Sequence, residues 1–150
     1  MRRLALVLAA TTACAPSYRF SPIAGVMVDD AASPIDDKEL AAVLLSYEAV
    51  LNSYDRHLFS MAVARTLFRF VDGCGEGSMT HTTSNLGRVI EVGNSCSCLA
   101  RSELIHELTH LFQLASDGVA DHEHKDLRYW NHRLVKRLRM HVAKSTCGGM

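Results

Sequence analysis

Leu104-Ile105-His106-Glu107-Leu108-Thr109-His110-Leu111-Phe112-Gln113 is the stretch around which the rest of this 150-residue chain organises. Its apolar residues recur three and four apart, the period of a helix with one buried stripe. On a helical wheel His110 and Gln113 fall within about 40° of His106. Leu104, Leu108, Leu111 and Ala115 lie opposite, with Ile105 and Phe112 beside them. A helix from about Leu99 to Ala115 therefore buries its leucines and turns both imidazoles toward one cleft. Histidines four apart on a helix can hold one zinc ion between them. Glu107 is then expected beside the ion, as the base for a metal-bound water. A hydrolytic zinc site needs three protein ligands and an open position, so a third ligand has to come from another segment.

The loop that follows supplies candidates. Gly118 is expected to end the helix and reverse the chain. Ser116 to His124 then offers His122, Glu123 and His124. His124 is the expected third ligand, because it stands ahead of Tyr129-Trp130, whose packing would fix its backbone; His122 is the alternative. Asp121 or Asp126 is expected to accept the other ring N–H of a ligand.

Outward from this centre, Asp126 to Lys144 reads as a closing helix. Leu127, Trp130, Leu134, Leu138 and Val142 form its apolar stripe, and its other face is basic. Upstream, Thr66–Val71, Met79–Thr83 and Arg88–Val92 have strand composition and are bounded by Gly and Asn turn residues. Further upstream Ser33 can cap, Pro34 suits a first turn, and the acids at 36 and 37 face the positive end of a helix dipole. Leu40, Val43, Leu44, Tyr47, Val50, Leu51 and Tyr54 then predict one helix over about 35–56. The expected fold is α+β over residues 33–150: an N-terminal helix, a short antiparallel or mixed sheet, the motif helix and a C-terminal helix. Gly73-Cys74-Gly75-Glu76-Gly77 lacks the Lys-Ser/Thr of a phosphate-binding loop.

Residues 1–13 read as a signal peptide: Arg2 and Arg3, the apolar run Leu4 to Ala10, then small residues. Thr11-Thr12-Ala13-Cys14 resembles the lipobox of bacterial lipoproteins, which implies lipidation at Cys14. Residues 14–32 read as an export linker. The expected location is the cell envelope, lipid-anchored, or outside the cell, with membrane contact only through the N-terminal lipid. Cys74, Cys96, Cys98 and Cys147 remain, an even number that in an exported chain predicts disulfides. Acidic and basic residues balance at 16 each, so no net field favours a nucleic-acid partner.

The motif helix resembles that of the zincin superfamily of zinc metallopeptidases, on His106, Glu107 and His110. His124 followed by Tyr129-Trp130 is similar to the minimal, SprT-like members. The likeness spans about residues 88–130. Gln113 and Ser116 stand where metzincins carry Gly and a third His, and the later Asn-Glu motif of gluzincins is not found. The resemblance implies Zn²⁺ as cofactor, a peptide or protein substrate, and peptide-bond hydrolysis by a metal-activated water. Glu107 would be the general base, and Met79–Thr83 or Arg88–Val92 the strand that receives substrate. The alternative on the same histidines is a non-catalytic zinc-binding lipoprotein of the periplasm or cell envelope.

Overall fold

The computed structural model describes residues 18–71, 79–83, 87–93 and 97–130. Two strands open it, within the segment expected to be a linker. β1 (Arg19–Ser21) and β2 (Val26–Asp29) pair antiparallel through a turn at Gly25, whose φ of +71° suits a residue without Cβ. Val26 and Val28 point inward and are buried, while Met27 and Asp29 alternate outward. Arg19 ties this hairpin to the next element by bonding both Asp30 and Asp37, which holds both carboxyls below the usual carboxylate range.

Where one helix was expected there are two, α1 (Asp37–Glu48) and α2 (Ser53–Val63). The start is set by Asp36 rather than Ser33, because the Asp36 carboxylate accepts from Lys38 N. The break is made by Asn52, whose side-chain oxygen accepts from the amides of Tyr54 and Asp55 and so caps a second helix. Leu40, Val43, Leu44, Tyr47 and Leu51 are buried as the spacing predicts, but Val50 and Tyr54 are exposed, since the break rotates them off the common face.

The helix pair carries the chain across to β3 (Thr66–Val71), which runs parallel to β2; a parallel neighbour requires such a crossover. β4 (Met79–Thr83) and β5 (Gly87–Gly93) follow. The sheet has five strands in the order β1-β2-β3-β5-β4, with parallel β2, β3 and β5 inside and antiparallel strands at both edges. β5 is paired on both sides. The motif helix, α3 (Ser97–Asp117), packs on β4 and β5 and against α1 and α2. The domain is thus mixed α+β, but its elements run β-β-α-α-β-β-β-α, which corrects the expected helix-first arrangement.

The expected C-terminal helix is corrected where it is described: residues 127–129 form a turn and Leu127 is exposed. Leu134, Leu138 and Val142 lie outside the described residues, as do the signal segment 1–13, Cys14, Cys74, Cys96 and Cys147. Of Cys98 only the backbone, in α3, is described. The expected disulfides lie outside the described residues, and no helix among the described residues is long and apolar enough to cross a membrane.

Candidate metal centre

α3 is buried on nearly every side along its middle. Leu104, Ile105, Leu108, Leu111 and Phe112 enter the core, as the wheel predicts. An aromatic chain locks this core from α1 to the loop beyond α3: Tyr47 stacks on Phe59, Phe59 meets Phe112 edge-on, and Phe112 meets Tyr129 edge-on. The Tyr47 hydroxyl donates to Thr109 Oγ1 at 3.1 Å, and Thr109 donates in turn to Ile105 O. The first of these bonds ties α3 to α1 at the turn between His106 and His110.

Gly118, with φ +75°, closes α3 by donating its N–H to Leu114 O. The chain then returns over the helix. Asp121 braces the return: its N–H donates to the buried Gln113 side chain at 2.8 Å, and its carboxylate accepts from the amides of Glu123 and Asp126. Those bonds hold the Asp121 carboxyl below its ordinary range. The loop so formed holds His124 in the left-handed backbone region, at φ +56°.

The result is a cluster of three imidazoles. His110 Nε2 lies 3.2 Å from His106 Nε2 and 3.2 Å from His124 Nε2, and the three donor atoms all fall within 4.8 Å of one another. Four ligands at about 2.0–2.1 Å around a tetrahedral ion stand about 3.3 Å apart, so the observed spacing is that of a metal-chelating set. The residues present can coordinate a metal ion. His110 is 4 % exposed, and burial, followed by the neighbouring histidines, lowers its pKa to about 4. It is therefore neutral at neutral pH, the form that ligates a metal. Trp130 roofs the cluster, with its ring 4.2–5.0 Å from all three imidazole centroids. Its indole Nε1 and His110 Nδ1 are both buried without a hydrogen-bond partner.

The hydrolytic centre expected on Glu107 is corrected. What the residues form is a three-histidine donor set. Glu107 is 2 % exposed, and its Oε1 approaches His106 Nε2 at 4.0 Å, beyond hydrogen-bond distance. Nothing in this donor set places the carboxylate as a general base. This corrects the zincin resemblance and the peptidase reading built on Glu107: the residues support a three-histidine cluster that can chelate a metal ion. Asp126 does not serve as the expected ring acceptor either, because its carboxylate is taken by Arg128. Asp121 instead acts on backbone amides. His122 stands outside the three-residue set, with its ring 5.4 Å from that of His110.

Three contributions were missed from sequence: the Trp130 roof, the Gln113–Asp121 brace and the Tyr47–Thr109 bond. Gln113 left a signal in its place on the histidine side of the wheel, and Trp130 in its expected packing beside His124. No protein-family model, curated protein or solved structure matches the chain.

Proposed function

We propose that this chain is a non-catalytic metal-binding protein of the cell envelope, holding one zinc ion through Nε2 of His106, His110 and His124. The observation that carries the reading is the spacing of the three ring nitrogens, set by two elements braced against each other rather than by one floppy segment. Imidazole donors suit Zn²⁺, Cu²⁺, Ni²⁺ and Fe²⁺. Zinc is the first choice, because a tetrahedral all-nitrogen arrangement asks for no ligand-field preference. The buried carboxylate of Glu107, 4.0 Å from His106 Nε2, would offset part of the ion's charge. The Thr11–Cys14 run supports export and an acyl anchor at Cys14.

The experiment is a zinc titration of chelator-treated protein, followed by the fluorescence of Trp130, the only tryptophan in the chain. One equivalent is expected to bind and to be released by a chelator, with binding lost in His106→Ala, His110→Ala and His124→Ala. Unchanged binding in those variants would sink the site. Peptide hydrolysis that rises with zinc loading and disappears with the chelator would sink the non-catalytic reading.

A further inference from the structure

We infer that His122 is a fourth ligand to the same ion, so that the loaded site is a closed shell of four imidazoles. The inference rests on the metal-site reading above and goes beyond it in saying what fills the remaining position. Ring centroids within the three-histidine set are 4.7, 4.9 and 5.1 Å apart. The His122 ring is 5.4 Å from that of His110, only slightly beyond the widest of these, and inclined to it by 41°. His110 is thus flanked by three imidazoles.

The loop explains how His122 can complete the set. Its brace acts on Asp121, Glu123 and Asp126, which fixes the backbone on both sides of His122 while leaving its exposed side chain to change rotamer. Seating the ring on the ion therefore needs side-chain rotation and not refolding of the loop. Three neutral imidazoles leave a tetrahedral ion one position short. A fourth donor tethered two residues from His124 is present at high effective concentration and competes well against water. A shell closed in this way has no place for a substrate or an anion, which gives the non-catalytic reading a structural cause.

The test uses the full chain loaded with Co²⁺, whose visible spectrum reports coordination. Wild type is expected to give a tetrahedral spectrum that azide does not alter. His122→Ala is expected to bind Co²⁺ at least tenfold more weakly and to give a spectrum that azide shifts. His122→Cys is expected to gain a thiolate-to-cobalt charge-transfer band that wild type lacks. An azide-sensitive wild-type spectrum that His122→Ala leaves unchanged overturns the fourth ligand while sparing the three-histidine site. Failure of wild type to bind Co²⁺ and Zn²⁺ at all overturns both.

Discussion

Replacing His110 by leucine separates what the imidazole does for binding from what it costs the fold. The ring is 4 % exposed, and its Nδ1 has no hydrogen-bond partner. Its pKa falls from 6.5 to about 4, chiefly through burial. Between those two values the unfolded chain binds a proton that the folded chain refuses. Unfolding is therefore favoured by acid, and stability rises with pH across that window. At pH 7.5 the effect is close to nil. At pH 5.0 the same pair of values predicts a loss of about 2 kcal/mol, with most of the remainder lost by pH 4. Leucine has a similar volume, carries no proton and leaves no orphaned polar atom, whose burial costs about 1–3 kcal/mol.

The assay is urea unfolding of both proteins in the presence of a chelator, at pH 7.5 and pH 5.0. His110→Leu is expected to be no less stable than wild type at pH 7.5. It should also escape about 2 kcal/mol of the loss that wild type suffers on acidification, while binding no zinc. Carboxylates remote from the site titrate in both proteins, so they cancel in the comparison to first order. Parallel losses, agreeing within about 0.5 kcal/mol, would show that burial of His110 does not set its protonation.

Asp121→Ala removes no ligand but frees the loop from two of its backbone bonds, and should weaken zinc binding roughly 10–100-fold in competition with a chromophoric chelator. Tyr47→Phe keeps the stack on Phe59 and deletes only the bond to Thr109, which retains Ile105 O. It should cost about 1 kcal/mol in urea unfolding and leave zinc affinity unchanged, and a tenfold drop in affinity would instead make the helix rotation part of the site.

The parts of the fold that could be read from sequence are those whose pattern is long relative to its boundaries. β3 and β5 are runs of β-branched and aromatic residues closed by glycine, and the structure places them within a residue of the expected limits. β1 and β2 are only three and four residues long and sit among proline, glycine and serine, where alternation has no room to appear. Such strands are stabilised by pairing, β2 with β3 and β1 with β2, rather than by their own composition. The break at Asn52 was hidden for the opposite reason. Apolar spacing continues through Val50, Leu51 and Tyr54 as though one helix ran on, and a single capping amide outweighs it.

The site divides along the same line. His106 and His110 meet because a helix repeats, and no tertiary fact is needed to bring them together. His124 is there because a loop returns at one angle, and that angle depends on bonds from Asp121 that no periodicity announces. Its backbone sits at φ +56°, a region that costs an ordinary residue about 1–2 kcal/mol. A histidine held there by four hydrogen bonds at Asp121, two of them through its carboxylate, is over-determined in a way that packing alone would not require. Glycine at that position would relieve the strain and keep the turn. What glycine cannot supply is the third ring nitrogen, and the loop's geometry makes sense as the means of presenting it.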